Sequence, residues 1–292
     1  MFTRAVPSVA LSLAALSFAA HAASGAVPPA PANASRRAED DSRAGRPLVV
    51  HVVVALADNE HQGIVKVKAD LGDGQSPSTN LYWGAMYGVR SFLTRRAGWK
   101  LLSRKTNPRP GVLERIVLRQ TLPRRTSKAE VYIVADAWDG AKLREATMCF
   151  LRYAAGHSRE SVSAEGPRGM LALAAGGGSH LVCYVGHDAF MDFQIKRPPG
   201  RSRSAAPRNS MVLACKSRAY YTKYLKRGGS EPVLMTNGLL APEAYLVDAA
   251  VRSWAAGDSR ERIEAAAAVA YHTYQKCGLG AAKNLFASPS RR

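Results

Sequence analysis

Five short and almost uninterrupted apolar runs dominate the pattern of the chain. They cover residues 49–57, 131–135, 181–185, 211–215 and 233–236. Runs that do not alternate with polar residues are typical of strands buried on both faces, as in a parallel sheet covered by helices. Apolar spacings of three and four residues, together with end signals, predict helices over 81–95, 141–153, 242–257 and 260–276. The order predicts one α/β domain over residues 47–286, a three-layer α/β/α sandwich with a mostly parallel central sheet.

Three further segments do not fit the parallel sheet. Residues 99–103 and 112–120 predict an added strand pair joined by a Pro-rich turn. Residues 157–178 are rich in Gly and Ser and are expected to be irregular. Residues 194–208 contain five cations, three prolines and no acid, which predicts a solvated loop.

The N-terminal residues are expected to be processed rather than folded. Residues 1–22 have the pattern of a secretory signal, because Arg4 precedes an apolar run and Ala20 and Ala22 supply small residues before the cleavage point. Residues 23–46 predict a flexible leader rich in Ala, Pro and Ser, and residues 287–292 a basic tail. We therefore expect an exported protein, periplasmic or extracellular, that is not transmembrane after processing.

Charge and cysteine content narrow the partners. A formal net charge of +19 on 292 residues favours acidic or polyanionic surroundings. Residues 194–208 concentrate this charge, and anionic surfaces are their expected partners; they carry no interleaved aromatic residues, so we expect no specific nucleic-acid binding. The four cysteines form no motif with zinc-ligand spacing, and neither a metal nor a cofactor is predicted.

Residues with chemical potential follow the apolar runs. In an open parallel sheet, ligands bind beyond the carboxyl ends of the strands. Asp58 and Asn59 follow the first run, Asp136 the second, His187 the third, Cys215 ends the fourth, and Thr236 and Asn237 follow the fifth. If the third and fourth strands are neighbours, His187 and Cys215 share one edge, which is the arrangement of Cys–His nucleophilic catalysis.

These residues resemble the caspase-like superfamily of cysteine peptidases. The sequence YVGH ends at His187, and VLAC ends at Cys215, 28 residues later. The resemblance implies a caspase-like sandwich, a dyad of base His187 and nucleophile Cys215, and hydrolysis of a protein or peptide substrate through an acyl-enzyme. The family has Gly directly after the His, where its backbone N–H helps to bind the oxyanion; here Asp188 and Ala189 follow, and a carboxylate would repel the developing charge.

Six residues are candidates for the substrate pocket. Metacaspases and gingipains use acidic residues to hold Arg or Lys, and Asp58 and Asp192 are the candidates here for a basic side chain. The full set is Asp58, Asn59, Asp136, Asp192, Thr236 and Asn237. Among the other cysteines, Cys183 is expected in the core, and Cys149 and Cys277 could form a disulfide if their helices are adjacent.

Three functional hypotheses remain open at this point. The first is a secreted or periplasmic caspase-like cysteine peptidase. The second is an inactive relative or another non-catalytic α/β binding module that uses the same edge of the sheet. The third is a basic cell-envelope protein that binds anionic polymers or lipids electrostatically.

Overall fold

The computed structural model describes residues 33–125 and 127–288, which belong to one compact unit, Ala32–Arg292. The unit contains both helices and strands, and its last three helices follow one another along the chain. The helices are α1 (Ala34–Arg43), α2 (Val89–Arg95), α3 (Leu143–Ala154), α4 (Ser217–Gly228), α5 (Ala244–Ala256), α6 (Arg260–Gln275) and α7 (Leu279–Phe286). The strands are β1 (Leu48–Ala55), β2 (Lys100–Arg109), β3 (Val112–Arg124), β4 (Ser127–Trp138), β5 (Arg159–Gly166), β6 (Gly169–Gly176), β7 (Leu181–Val185), β8 (Asn209–Leu213) and β9 (Glu231–Leu234).

A seven-stranded sheet forms the centre of the fold, in the order β2-β3-β4-β1-β7-β8-β9. The five apolar runs correspond to β4, β1, β7, β8 and β9, which pair in parallel. The predicted strand pair is β2 and β3, which extend the sheet antiparallel to β4. Every residue of β1, β7 and β8 is buried, as their unbroken apolar character predicts. An α/β fold with a mostly parallel sheet is therefore confirmed.

Helices cover both faces of the sheet. Val52 and Val54 of β1 belong to a core that includes residues of α2, α5, α6 and α7. Val53 and Ala55 of the same strand belong to a second core, with residues of α3 and α4. Because successive side chains of a strand point to opposite faces, β1 separates the two helical layers, and the arrangement is a three-layer sandwich.

Residues 157–178, expected to be irregular, contain a β-hairpin. β5 and β6 pair antiparallel over their whole lengths, and Leu173 and Ala175 are buried against Tyr132 and Val134 of β4. Leu171, Leu173 and Ala175 do follow the two-residue period of a strand. The Gly and Ala residues around them weaken that signal, because both are poor strand formers.

Helix α2 is shorter than the helix predicted over 81–95. Residues 81–88 form successive turns, and the side chain of Asn80 accepts hydrogen bonds from the backbone N–H groups of Ala57 and Tyr82, both at 3.1 Å. A Cβ on Gly84 would lie 2.0 Å from the carbonyl oxygen of Ser78. The turns therefore pack so closely that only glycine fits at position 84. The predicted helices over 141–153, 242–257 and 260–276 correspond to α3, α5 and α6.

Helix α1 occupies part of the segment that the sequence assigned to a flexible leader. Asn33 caps the helix by accepting a hydrogen bond from the N–H of Arg36 at 2.7 Å, and Ala34 and Ala38 are buried. The side chain of Arg37 donates hydrogen bonds to three backbone carbonyl groups. Its acceptors are Gly178, Ser179 and Pro207, at 2.7, 2.9 and 3.0 Å. The flexible leader is therefore corrected for residues 33–46. The proposed signal (1–22), residues 23–32 of the leader and residues 289–292 of the tail lie outside the described residues.

His180 joins α1 to the beginning of β1. Its Nδ1 accepts a hydrogen bond from the N–H of Val49 at 3.1 Å, and its Nε2 lies 2.7 Å from a carboxylate oxygen of Asp41. Burial, together with the nearby charge of Arg37, lowers the pKa of His180 to about 4. The ring is consequently neutral at pH 7, with its proton on Nε2 and directed to Asp41.

All four cysteines are free thiols. Cys183 is buried in β7, as predicted. The condition for a disulfide between Cys149 and Cys277, adjacent helices, is not met: Cys149 lies in α3 on one face of the sheet, and Cys277 follows α6 on the other face. A disulfide requires Cα atoms within about 7 Å, which two residues separated by a sheet cannot meet.

Among the helices of residues 33–125 and 127–288, none has the length and apolar character needed to cross a membrane.

Candidate functional site

His187 and Cys215 lie at the same edge of the sheet. β7 and β8 pair in parallel with Val185 opposite Leu213, so each of the two residues follows a paired position by two. Neighbouring strands are about 4.8 Å apart. The sequence prediction required that these strands be adjacent, and in the structure they are.

The imidazole of His187 is held by a carboxylate. Its Nε2 lies 2.9 Å from Oδ1 of Asp192, and the ring is only 6% exposed. The backbone oxygen of His187 accepts a hydrogen bond from the hydroxyl of Tyr184 at 2.8 Å. The other carboxylate oxygen of Asp192 accepts a hydrogen bond from the N–H of Gly63 at 3.1 Å. Asp192, expected in a substrate pocket, is thus a partner of His187.

Cys215 occupies the turn between β8 and α4. Its half-buried thiol contacts the backbone of Leu240, which donates to Sγ at 3.4 Å and whose carbonyl oxygen lies 3.6 Å from it. The next residue, Lys216, has a left-handed backbone (φ 46°) and precedes the first residue of α4, Ser217. Cys215 therefore lies beside the N-terminus of a helix, where backbone dipoles favour negative charge.

Two backbone N–H groups at this edge have no acceptor among the described residues. In the described part of the chain, no residue accepts a hydrogen bond from the backbone N–H of Asp188 or from that of Cys215. Two free N–H groups next to a nucleophile are the usual means of stabilising a tetrahedral oxyanion. Ala189, the second candidate for this role, is buried at the start of a short 3₁₀ helix.

The side chain of Asp188 is buried beneath the edge. Its Oδ1 accepts a hydrogen bond from the N–H of Phe190 at 2.9 Å, and its Oδ2 has no partner among the described residues. Burial, aided by the neighbouring charge of Asp192, raises the pKa of Asp188 to about 7, although the Phe190 bond opposes the shift. Below pH 7 the group is mostly a neutral acid, so the repulsion expected from a carboxylate in this position is reduced.

We predict that Asp188→Asn raises the free energy of unfolding at pH 8 by at most about 4 kcal/mol, which corresponds to a pKa difference of about three units, and changes it little near pH 4. The folded wild type binds a proton with a pKa near 7, whereas an unfolded Asp titrates near 4. Wild-type stability is therefore lost as the pH rises between these values. Urea denaturation of both proteins across pH 4–8 measures the difference. The exposed Asp70→Asn is the control, and a difference independent of pH would contradict the prediction.

Asp58 and Asn59 organise the loop that follows β1. The carboxylate of Asp58 accepts hydrogen bonds from the backbone N–H groups of Glu60 and His61, at 2.9 and 3.0 Å, and from Gln75 at 3.1 Å. Burial favours a higher pKa for Asp58, but these hydrogen bonds outweigh it and lower the pKa. Asn59 exchanges two hydrogen bonds, each of 3.0 Å, with the backbone of Val67. Both side chains are committed to the loop and offer little to a substrate.

Thr236 and Asn237 also make structural contacts. Thr236 is fully buried, and its hydroxyl bonds to Ser217 and to the carbonyl oxygen of Ala214. The Asn237 amide donates to the carbonyl oxygens of Asn284 and Ala287 at the end of α7, both at 2.8 Å. These residues support the turn around Cys215 and the C-terminal helix rather than a pocket.

Asp136 lies inside β4 and not beyond its end. It is fully buried, where it contacts His51, Arg109 and Arg115. A carboxylate surrounded by partners within the sheet cannot reach a substrate at the edge. The candidate role of Asp136 in a substrate pocket is therefore corrected to a structural one.

The cationic segment 194–208 is docked rather than freely solvated. Arg208 is buried and donates to the carbonyl oxygen of Tyr153 at 2.9 Å. Backbone oxygens of Pro198 and Gly200 accept hydrogen bonds from Arg227 and His157. The segment contributes four exposed cations, not five, to any anionic partner surface. They are Lys196, Arg197, Arg201 and Arg203.

The contacts that surround His187 and Cys215 could not be predicted from the sequence. Gly63 and Leu240 reach Asp192 and Cys215 only through their backbones, and backbone contacts leave no residue-type signal. Within residues 33–125 and 127–288, no group of three or more His, Cys, Asp or Glu residues could hold a metal ion. Comparison of the chain with protein-family models, curated proteins and solved structures finds no match.

Proposed function

We propose that the protein is a caspase-like cysteine peptidase in which Cys215 is the nucleophile and His187 the general base. The observation that carries the proposal is the register of β7 and β8, with Val185 opposite Leu213. It brings a free thiol and an imidazole to equivalent positions on adjacent strands. Two backbone N–H groups without acceptors in the described chain, those of Asp188 and Cys215, support the same assignment.

The order of elements supports the caspase-like class. The parallel strands appear along the chain as β1, β4, β7, β8 and β9 and lie in the sheet as β4-β1-β7-β8-β9. His187 follows the third of them and Cys215 the fourth, as in the superfamily that the sequence resembles. The site departs from that superfamily at Asp188, which replaces the usual Gly and is buried as a weak acid.

The proposed reaction proceeds in two steps. The thiol proton of Cys215 passes to His187, and the thiolate attacks the carbonyl carbon of the scissile peptide bond, forming a C–S bond. The oxyanion accepts hydrogen bonds from the backbone N–H groups of Asp188 and Cys215. The C–N bond then breaks, and the imidazolium returns its proton to the leaving amine. In the second step, water gives a proton to His187 and attacks the thioester carbon to form a C–O bond; the C–S bond then breaks, and the proton on His187 returns to the Cys215 thiolate as the acid is released.

We further propose that the peptidase acts outside the cytoplasm. The pattern of residues 1–22 supports export, and the exposed cations of segment 194–208 would favour substrates or surfaces with acidic groups. A salt dependence of binding would reveal that electrostatic contribution.

The thiols provide a direct test. We expect iodoacetamide to alkylate Cys215 about tenfold faster than Cys277 at pH 7, although Cys277 is exposed and Cys215, being half-buried, is less accessible. The reason is that His187 accepts the thiol proton of Cys215, and the thiolate is the reactive form. Peptide mapping by mass spectrometry gives both rates from one sample. His187→Ala should remove the difference, and His61→Gln, which changes a more exposed imidazole at the same edge, should preserve it.

Hydrolysis itself is measured with a peptide library digested by wild-type protein and by Cys215→Ala. New peptide termini that depend on Cys215 support the proposal. If Cys215 is alkylated no faster than Cys277 and no termini depend on it, the peptidase assignment is wrong. Retained binding of library peptides by Cys215→Ala, without cleavage by the wild type, would then favour the non-catalytic binding module.

A further inference from the structure

We propose that Asp192 is a positioning residue for His187, and that Gly63 holds Asp192 in place. This inference rests on the proposed function, since it explains how His187 could serve as the base of a Cys–His dyad. It gives a role to the loop after β1, whose residues take no direct part in the proposed reaction.

The hydrogen bond to Asp192 determines the tautomer of His187. A carboxylate can only accept hydrogen bonds, so the 2.9 Å contact between Nε2 of His187 and Oδ1 of Asp192 requires the ring proton on Nε2. The neutral ring then has its lone pair on Nδ1. With Nε2 engaged, Nδ1 is the nitrogen left to accept a proton from the thiol.

The same hydrogen bond orients the imidazole ring. A surface His–Asp pair would be weakly ordered, but this imidazole is 6% exposed and the Asp192 carboxylate 25% exposed. A hydrogen bond to a carboxylate in a partly water-excluded site restricts the ring, and it also stabilises the imidazolium that forms when the thiol is deprotonated. Asp192 acts through His187 and does not contact the reacting atoms.

Asp192 is itself held by a hydrogen bond from the backbone. Its Oδ2 accepts a hydrogen bond from the N–H of Gly63 at 3.1 Å. A Cβ on Gly63 would lie 2.5 Å from Oδ1 of Asp192, the oxygen that bonds His187. Any side chain at residue 63 would therefore displace the carboxylate. The loop after β1 controls the position of Asp192 through this close approach, and Asp192 controls His187.

The tautomer can be measured without activity. In protein labelled with ¹⁵N-histidine, we expect the His187 signals of the wild type to show a protonated Nε2 and an unprotonated Nδ1. Asp192→Ala and Gly63→Ala should shift these signals toward a mixture of tautomers. Asp192→Asn, which keeps an acceptor oxygen, should lie between them and the wild type. The control is Gly200→Ala, because a Cβ at Gly200 would meet nothing within 4 Å.

Alkylation supplies the functional measurement on the same variants. The ratio of the Cys215 and Cys277 rates should fall about fivefold to tenfold in Asp192→Ala and Gly63→Ala, should be partly rescued in Asp192→Asn, and should not change in Gly200→Ala. Circular dichroism and the melting temperature establish that each variant is folded, and a misfolded Asp192→Ala is replaced in the comparison by Asp192→Asn.

These measurements distinguish the positioning role of Asp192 from the peptidase activity. If Cys215 is reactive but the His187 tautomer and the rate ratio do not respond to Asp192 or Gly63, the positioning role is overturned and the peptidase stands. If the tautomer responds as expected but Cys215 is unreactive in the wild type, the contacts of Asp192 are supported and the peptidase is overturned.

Discussion

Replacing Asp136 by Asn should lower the free energy of unfolding by about 3–5 kcal/mol, the usual effect of breaking a buried ion pair. Asp136 is fully buried in β4. Arg115 donates two hydrogen bonds to it, at 2.6 and 2.7 Å, Arg109 donates one at 2.9 Å, and His51 lies 3.3 Å away. An Asn would keep the shape of the side chain but remove the fully buried anion that Arg109 and Arg115 share, and would leave them only the carboxylate of Glu160, at 3.8 and 2.8 Å.

Urea denaturation at pH 7 measures this effect. Asp40→Asn is the matched control, because its side chain is 58% exposed and its nearest cation lies 3.9 Å away; we expect a change below about 0.5 kcal/mol. An equally small change for Asp136→Asn would contradict the buried ion-pair network.

The pH dependence of this network has a definite sign. Burial alone would raise the pKa of Asp136, but the hydrogen bonds and charges of Arg115 and His51 hold it far below its usual range. The stabilisation is therefore present above about pH 4, where an unfolded Asp is ionised, and is lost as the pH falls further. The difference between wild type and Asp136→Asn should shrink in acid.

Removal of helix α1 should lower the free energy of unfolding by an amount similar to that expected for Asp136→Asn. A chain that begins at Pro47 should unfold with a free energy about 3–5 kcal/mol lower than one that begins at Ala23, because charged hydrogen bonds are worth about 1.5–3 kcal/mol each. The side chain of Arg37 donates to three carbonyl groups, and Glu39 accepts a hydrogen bond from Arg124 at 2.7 Å. Their contributions are not additive, so the expected loss is less than their sum.

Two point variants separate the role of α1 from the effect of truncation. Arg37→Met should account for about half of the loss. Arg43→Met, whose side chain is 72% exposed in the wild type, should cost less than about 0.5 kcal/mol. Equal denaturation midpoints for the two chain lengths would mean that α1 is not part of the folded unit and that the flexible leader extends to residue 46.

The central sheet could be predicted from the sequence because short, unbroken apolar runs rich in Val are typical of strands buried on both faces. The runs at 181–185 and 211–215 correspond to β7 and β8. The hairpin and helix α1 were not predicted, because their sequences lack a clear apolar pattern. The hairpin of β5 and β6 is built largely from Gly, Ala and Ser, and α1 is polar except for Ala34 and Ala38. The hydrogen bonds that attach α1 to the rest of the fold come from Arg37 and Asp41, whose partners are distant in the sequence.

The candidate site was predictable at the level of strand ends but not of individual contacts. His187 and Cys215 could be placed together on the condition that their strands are neighbours, and β7 and β8 are neighbours in the sheet. The polar residues beyond the other strands, such as Asp58 and Thr236, looked like ligands although they serve the backbone of their own loops. A sequence shows which side chains can form hydrogen bonds, but it does not show whether the protein already occupies them.

Helix α1 offers a place to attach a label or a surface linkage far from Cys215. Its Arg37 binds Ser179 and Pro207, which precede β7 and β8, whereas His187 and Cys215 follow these strands. Five residues of strand separate the two edges by about 16 Å. A fluorophore or a surface linkage at Arg43, on the solvent side of α1, would therefore leave the edge with Cys215 accessible to macromolecules in solution.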